Sequence, residues 1–144
     1  MKAHVCASCG ALNRIGNAPP GSAPVCGKCK AALDVTGEPR AVTGAQLDLA
    51  VRNSPVPVLV DFWAPWCGPC RTAAPIFAEV GRRTAGDVLV LKVNSDEEQE
   101  ASARLGIRAI PTFVLFHGGQ EIARHSGVMP AAEMERWVSG HART

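Results

Sequence analysis

The feature that most constrains the fold is a Cys-x-x-Cys pair that follows directly on an apolar run. Residues Val56–Trp63 are apolar except for Asp61, and a run of this length predicts a buried strand. The segment Trp66–Cys70, with the sequence WCGPC, comes next. Two cysteines three residues apart at the start of a helix can lie within disulfide reach. The sequence therefore predicts a dithiol that can open and close directly after a buried strand.

Size and charge narrow the class of protein. The chain has 144 residues, of which 47% are hydrophobic, enough for one core and a small additional module. A net charge of +2 gives no reason to expect a nucleic-acid partner. The segment Met1–Cys6 lacks the apolar stretch of a signal peptide, and no run reaches the roughly 18 apolar residues of a membrane helix. We expect a cytoplasmic monomer that does not bind membranes.

Four further cysteines lie in the first thirty residues. They form two pairs, Cys6/Cys9 and Cys26/Cys29, with sixteen residues between the pairs. This spacing fits a zinc site in which two tight turns each offer two thiolates to a tetrahedral ion. The stretch from Asn13 to Pro24 is rich in glycine, proline and polar residues, so we expect a loop that packs no core by itself. A zinc ion would supply the missing stability.

Two other interpretations of these cysteines are weaker. They could pair as two disulfides, but six cysteines in a reducing cytosol are more often metal ligands or catalytic thiols. His4, two residues before Cys6, is a fifth potential ligand, yet four thiolates already fill a tetrahedron and we expect His4 to be exposed. The segment 33–40, with its glycine and proline, predicts a hinge. It divides the chain into a zinc ribbon over residues 1–36 and a second module over residues 37–144.

The second module alternates between strand and helix signals. Helices are predicted over Ala45–Arg52, Pro69–Arg83, Glu97–Leu105 and Ala131–Gly140, and strands over Val56–Phe62, Val88–Val93, Thr112–Phe116 and Glu121–Ser126. Gly118-Gly119 predicts a hairpin turn between the last two strands, and Pro75 predicts a kink in the second helix. Strands joined through helices and followed by a hairpin predict an α/β fold, in which helices flank a mixed sheet on both faces.

In their order and motifs these segments resemble the thioredoxin family, from about Glu38 to Thr144. The matching segments are Val60–Cys70, Pro75, Leu91–Asn94, Gly106–Thr112, Gly118-Gly119 and Gly127. With the four-cysteine module in front, the chain resembles the zinc-ribbon-bearing members of that family, the thioredoxin-2 type. It departs from the family pattern at Pro65, where many members carry an acidic residue, and at Ser126, where a branched apolar residue is common.

The chemistry expected of the dithiol follows from its place at a helix start. Cys67 would gain from the positive end of the helix dipole and from unpaired backbone N–H groups, which favour the thiolate. We therefore expect Cys67 to be the exposed, attacking nucleophile, and Cys70, one turn inside and more shielded, to resolve the mixed disulfide. The alternatives are zinc ligation or an inert core position, but neither Gly68-Pro69 nor the preceding strand offers further ligands.

Asp61 is a carboxylate within an apolar run, where burial without a partner is costly. Desolvation should raise its pKa and make it a candidate proton acceptor for Cys70. The resemblance gives Asp61 this role, with Lys92 on the neighbouring strand as its partner. The alternative is a buried ion pair with no catalytic part.

The resemblance also implies a substrate groove beside Cys67. Ile110-Pro111 corresponds to the cis-proline turn of the family, which would present backbone groups of Ile110 to an extended client peptide. The shallow apolar groove would be formed by Trp66, Gly68, Pro69, Ile110, Pro111, Gly127 and Val128. Trp63 is expected to be half core and half wall of this site, and Trp137 to pack its helix.

The leading interpretation is a protein-disulfide reductase that cycles between dithiol and disulfide. The resemblance implies disulfide-containing client proteins and an NADPH-dependent thioredoxin reductase as partners, with zinc as the one cofactor. A disulfide oxidase or isomerase is a second interpretation, because the two residues between the cysteines tune the reduction potential, although Gly68-Pro69 resembles the reducing members. A third, from another class, is a zinc-dependent client-binding module or chaperone whose dithiol is secondary.

Overall fold

The computed structural model describes residues 1–16 and 23–142. The strands are β1 (Lys2–Val5), β2 (Leu12–Ile15), β3 (Arg40–Ala41), β4 (Val58–Trp63), β5 (Leu89–Asn94), β6 (Thr112–His117) and β7 (Gln120–Ser126). The helices are α1 (Gly44–Asn53), α2 (Gly68–Arg83), α3 (Gln99–Arg104) and α4 (Ala131–Ala142). All four predicted helices and all four predicted strands are present, with ends that differ by at most two residues. The helix predicted to kink at Pro75 runs without interruption through it.

Two sheets organise the described residues. A central sheet has the order β3-β5-β4-β6-β7, and a two-stranded sheet pairs β1 with β2. In the central sheet β5 is parallel to β3 and β4, whereas β6 is antiparallel to both β4 and β7. The predicted mixed sheet is therefore confirmed.

Side chains alternate across the central sheet because successive residues of a strand point to opposite faces. Val58, Val60 and Phe62 of β4 belong to one core cluster, together with residues of α1. Leu59 of the same strand belongs to the second cluster, with residues of α2 and α4. By this alternation Asp61 lies on the face of the sheet that α2 covers.

The strands of the N-terminal module were not predicted. β1 and β2 are four residues each and include charged or polar side chains, so they carry no clear apolar alternation. Residues 13–15, which we expected to be loop, belong to β2, and residues 17–22 of that expected loop lie outside the described residues. Ala3 and Val5 of β1 are buried in the core cluster of α1 and β4, so the N-terminal module packs on the central sheet.

His4 is the clearest error among the predicted positions. It is 6% exposed, not solvent-exposed, because β1 lies against the turn at Gly86, where a Cβ would come within 2.8 Å of His4 Nε2. The Ala3 N–H donates to the Gly86 carbonyl oxygen at 3.0 Å. Burial, followed by the nearby charge of Lys2, holds the pKa of His4 below its usual value.

The segment predicted as a hinge is held in place by its contacts. Asp34 and Arg40 form an ion pair across it. Gly37, at a φ of +89°, lies so close to α2 that a Cβ would overlap the carbonyl oxygen of Gly81. Only glycine fits such a position, so the segment docks on α2 instead of acting as a free linker.

Candidate functional site

The dithiol lies where β4 leads into α2. Cys67 is the N-cap residue of α2, and its Sγ accepts a hydrogen bond from the backbone N–H of Cys70 at 3.2 Å. Pro69 occupies the first turn, where its fixed φ suits a helix start and its missing N–H leaves no bond unmade. The Cys67 sulfur therefore lies beside an N–H donor, at the positive end of a sixteen-residue helix.

The two cysteines do not differ in burial as expected. Cys67 is 5% exposed and Cys70 is 3% exposed, so the prediction of an exposed Cys67 is wrong. Ala64, Trp63 and Ile110 pack around the pair, and the Ile110 carbonyl oxygen lies 3.7 Å from Cys67 Sγ. Burial raises the pKa of the Cys70 thiol to about 12, with further contributions from its hydrogen bond to Cys67 and from nearby charges. The two residues are therefore nearly equal in exposure, and they differ in the hydrogen-bond partners of their sulfurs.

Asp61 is a buried carboxylate with no hydrogen-bond partner at one oxygen. Its side chain is 2% exposed, and Oδ1 contacts no donor within the described residues. Burial raises the pKa of Asp61 to about 7, although the positive charge of Lys92 opposes the shift. The charge of Asp61 also contributes to the raised pKa of Cys70, so the two groups are electrostatically coupled.

Lys92 is the register neighbour of Asp61 on the adjacent parallel strand. The two side chains form no ion pair within 4.0 Å in the described part of the chain, so the close ion pair we considered is not made. The ammonium group lies instead 5.8 Å from the centre of the Trp63 ring. Lys92 therefore acts on Asp61 as a nearby charge.

Several of the predicted groove residues meet at the Ile110-Pro111 peptide bond, which is cis. Ile110 contacts Cys67, and the backbone N–H of Gly127 donates to the Pro111 carbonyl oxygen at 2.9 Å. Pro111 itself is buried, whereas Ile110 and Gly127 are half-buried. The remaining predicted residues, Trp66, Gly68, Pro69 and Val128, are exposed.

Two residues near the dithiol were missed by the sequence analysis. The indole N–H of Trp66, whose side chain is 68% exposed, donates to both carboxylate oxygens of Asp96, at 3.2 and 3.0 Å. Arg71 donates to the Pro65 carbonyl oxygen at 2.8 Å. Asp96 is thirty residues from Trp66 and carried no motif, while Arg71 directly follows the dithiol and was overlooked.

The four N-terminal cysteines converge. Their Sγ atoms all lie within 4.8 Å of one another, and the Cys6–Cys29 and Cys9–Cys26 sulfurs are 3.7 and 3.6 Å apart. Four sulfurs at the usual Zn–S length of about 2.3 Å would stand about 3.8 Å apart at the corners of a tetrahedron. We call these four residues the cysteine cluster. Its geometry fits a tetrahedral metal ion.

Two turns of matching geometry present these cysteines. In the first knuckle, residues 6–10, the N–H of Gly10 donates to the Cys6 carbonyl oxygen, and in the second, residues 26–30, Lys30 donates to Cys26 in the same way. Gly10 and Lys30 both have a positive φ, of 76° and 67°. Gly27, between the two cysteines of the second knuckle, has no positive φ. The left-handed position is the residue after each second cysteine.

The central sheet and the dithiol at the start of α2 together define a thiol–disulfide oxidoreductase. Comparison with known proteins supports this class. The thioredoxin family model matches residues 38–140. Thioredoxin 1 of Nostoc sp. is 43% identical over 100 residues, covering 69% of this chain and 94% of that protein. Thioredoxin C-3 of Corynebacterium nephridii is 39% identical over 134 residues, covering 93% of this chain and 91% of the relative, so the alignment reaches into the N-terminal module.

Solved structures give the same result. Chloroplastic thioredoxin z superposes with a TM-score of 0.69 at 31% identity, covering 74% of this chain and 96% of that one. The chain belongs to the thioredoxin family. Members of this family are protein-disulfide oxidoreductases, and so is this protein. Among the described helices none is long and apolar enough to cross a membrane.

Proposed function

We propose that the protein reduces disulfide bonds of client proteins through Cys67 and Cys70, with Asp61 as the proton acceptor. The observation that carries this proposal is the place of Cys67 at the N-cap of α2, where the Cys70 N–H donates to its sulfur. The groove expected for the client is formed by Trp66, Gly68, Pro69, Ile110, Pro111, Gly127 and Val128.

The first step is attack by the Cys67 thiolate on one sulfur of the client disulfide. The client S–S bond breaks, a bond forms between Cys67 Sγ and the attacked sulfur, and the other client sulfur leaves as a thiolate that takes up a proton. The exposed Trp66 and the half-buried Ile110 flank Cys67, and they offer apolar and backbone contacts that hold an extended peptide in line with the sulfur.

The second step is resolution by Cys70. Its thiol gives a proton to Asp61, and the resulting thiolate attacks Cys67 Sγ, so that the Cys67–Cys70 bond forms and the client sulfur leaves. The client gains two electrons and the protein loses two. In the mixed disulfide Cys67 carries no charge, which removes two of the causes that raise the Cys70 pKa. The gap between the pKa values of Cys70 and Asp61 therefore narrows at the moment when the proton must move.

The oxidised pair must then be reduced again. Like its relatives, the protein would receive two electrons from an NADPH-dependent thioredoxin reductase, and the cytoplasm is the compartment we propose for this cycle. Gly68-Pro69 between the cysteines supports the reducing direction over oxidase or isomerase activity, because this pair resembles that of the reducing members.

The cysteine cluster would hold one structural zinc ion through Cys6, Cys9, Cys26 and Cys29. The sulfur separations support this assignment, as do the backbone N–H groups of Ser8 and Lys28, which lie 3.4 Å from the sulfurs of Cys6 and Cys26. When bound, zinc would cross-link the two knuckles of a module that has a small core of its own. On this proposal residues 1–36 form a zinc ribbon and residues 37–144 the catalytic module.

The test is insulin-disulfide reduction by the full chain with NADPH and a bacterial thioredoxin reductase, together with metal analysis by atomic absorption. We expect catalytic turnover and one zinc per chain. The Cys67→Ser variant serves as the matched control, since it keeps the cysteine cluster intact. Absence of turnover in a protein that binds client would favour the chaperone alternative, and absence of zinc would refute the metal site without affecting the dithiol.

A further inference from the structure

Asn13 connects the two knuckles of the cysteine cluster. It lies on β2, half-buried, and three hydrogen bonds hold its side-chain amide. Its Nδ2 donates to the Cys26 sulfur at 3.4 Å and to the Ala11 carbonyl oxygen at 3.1 Å. Its Oδ1 accepts the backbone N–H of Gly27 at 2.9 Å. One side chain thus contacts a sulfur, the backbone that directly follows the first knuckle and the backbone of the second knuckle.

The orientation of this amide is fixed by its partners. A reversed amide would place its oxygen against the Ala11 carbonyl and the Cys26 sulfur, both of which are acceptors, and its NH₂ group against the Gly27 N–H. Only the observed orientation satisfies all three contacts. The N–H···S contact is therefore a consequence of the two backbone bonds that hold the amide.

The sulfurs of the cluster differ in the donors that reach them. Cys26 is fully buried and accepts from the Lys28 N–H as well as from Asn13. Cys29 is exposed, and within the described residues no N–H group donates to its sulfur, which lies 3.7 Å from the Cys6 sulfur. A hydrogen bond to a charged acceptor is stronger than one between neutral groups. The Asn13 amide therefore stabilises the thiolate of Cys26, which is the most buried of the four.

We infer that Asn13 is a positioning residue for the metal site, which holds the Cys26 thiolate by an N–H···S hydrogen bond and sets the second knuckle against the first. This inference rests on the proposed zinc site. Cys26 is then the ligand held most firmly. Partners around metal ligands typically change metal affinity by about 10–100-fold when they are removed.

The test separates the N–H···S bond from the backbone contact. Asn13→Asp keeps an oxygen that can accept the Gly27 N–H but presents a second oxygen to the Cys26 sulfur and to the Ala11 carbonyl oxygen, whereas Asn13→Ala removes every contact. Asn53→Asp is the matched control, because the Asn53 amide also donates to a carbonyl oxygen but is exposed at the end of α1. Zinc affinity of each full-length, reduced protein is measured by competition with a chromophoric chelator.

We expect Asn13→Asp to bind zinc about 10–100-fold more weakly than the wild type, and Asn53→Asp to bind it unchanged. In the cobalt-substituted proteins, the sulfur-to-metal charge-transfer band should move to lower energy in both Asn13 variants, because the sulfur loses a donor. Zinc affinity of Asn13→Asp within twofold of the wild type would overturn the inference and leave Asn13 as a turn-holding residue. A wild-type chain that binds no metal would overturn the zinc site itself, and the inference with it.

A second measurement needs no variant. In the ¹¹³Cd-loaded wild-type protein, an N–H···S bond would couple the side-chain amide protons of Asn13 to the metal through the Cys26 sulfur. We expect a ¹H–¹¹³Cd correlation at that amide. Its absence, in a sample that shows such correlations for the backbone N–H of Lys28, would contradict the inference.

Discussion

The dithiol and the cysteine cluster are built from the same Cys-x-x-Cys unit and yet have different surroundings. The pair Cys67/Cys70 stands at the start of a long helix, near the buried carboxylate of Asp61, and is not part of the group of four convergent sulfurs. The other two pairs lie in matching turns that bring four sulfurs within 4.8 Å of one another. A spacing of three residues brings two thiols together in both regions. On the proposed function, the neighbouring groups decide whether a pair exchanges a disulfide or binds a metal.

The two regions also differ in how they obtain stability. The dithiol is attached to a core in which β4, α2 and α4 bury large apolar side chains. The cysteine cluster has a small core of its own, with Leu33 buried beside Cys6 and Cys26. Its strand β1 adds Ala3 and Val5 to the core of the central sheet. The N-terminal module therefore depends on contacts with the central sheet, and on the proposed zinc site, removal of metal should also lower the stability of the catalytic module.

The largest effect is expected from the cysteines of the dithiol. Cys67→Ser should abolish turnover, because the attacking sulfur is lost, whereas Cys70→Ser should accumulate as a mixed disulfide with its client. The ribbon variant Cys29→Ser should lose metal and form no trapped adduct. Non-reducing mass spectrometry after incubation with insulin measures all three. Equal trapping by Cys67→Ser and Cys70→Ser would mean that the two sulfurs do not have separate roles.

Asp61→Asn should slow the resolution step much more than the first attack. General-base assistance typically contributes about 10²–10⁴-fold, and Asp61 is coupled to Cys70. Stopped-flow tryptophan fluorescence, recorded over a single turnover with client in excess, separates the two steps. If the resolution rate constant stays unchanged from pH 6 to 9, Asp61 has a structural role only.

The same substitution should increase stability above neutral pH. The pKa of Asp61 is about 7 in the folded protein and 3.8 by reference, so between these values the native state binds a proton that the unfolded state does not. Stability is therefore lost as pH rises through this window, by about 4 kcal/mol in total. The amide of the Asp61→Asn variant does not titrate in this range, so the variant does not lose this stability as pH rises.

Urea unfolding of wild type and Asp61→Asn between pH 6 and 8.5 checks this sign, and the difference between the two proteins cancels the effect of the metal. The variant should be the more stable protein at pH 8.5, with an advantage that shrinks toward pH 6. A difference that grows as pH falls would show that the Asp61 pKa is not raised.

A smaller loss of stability is expected from a substitution at the contact between the ribbon and α1. Gly10 has a φ of +76°, and a Cβ there would overlap the Gln46 side chain, which caps α1 by accepting the Thr43 N–H. Gly119→Ala is the control, since its φ is +81° but its surroundings are open. Both variants should lose about 1–2 kcal/mol from the left-handed backbone, and Gly10→Ala about 1 kcal/mol more from the disturbed cap. Equal losses of unfolding free energy would mean that the ribbon does not press on α1.

Much of the catalytic module was predictable because its strands are buried on both faces. The runs in β4, β5 and β6 stay apolar over most of their length, and Asp61 stands out as the charged residue within one of them. The ribbon strands gave no such signal, since β1 contains Lys2 and His4. The burial of His4 depends on a turn some eighty residues away.

The cysteines of the cluster and of the dithiol were identified from their spacing, but the residues that contact their surroundings from other segments were not. Asp96 reaches Trp66 from another loop, and Asn13 reaches Cys26 across thirteen residues. Such contacts are set by the folded backbone, and an asparagine or an aspartate in a polar stretch has no periodicity to mark it. Burial of Cys67 was mispredicted for a similar reason, because Ile110 covers it from a distant turn.

Alkylation mapping of the zinc-loaded protein, equilibrated in glutathione buffers of increasing oxidising strength, tests the contrast between the two regions directly. We predict that Cys67 and Cys70 lose reactivity together as one two-electron couple while the four N-terminal cysteines stay in the metal site. Oxidation of the N-terminal cysteines at the same potential, or a dithiol that does not titrate, would contradict the assignment of exchange chemistry to one region and metal binding to the other.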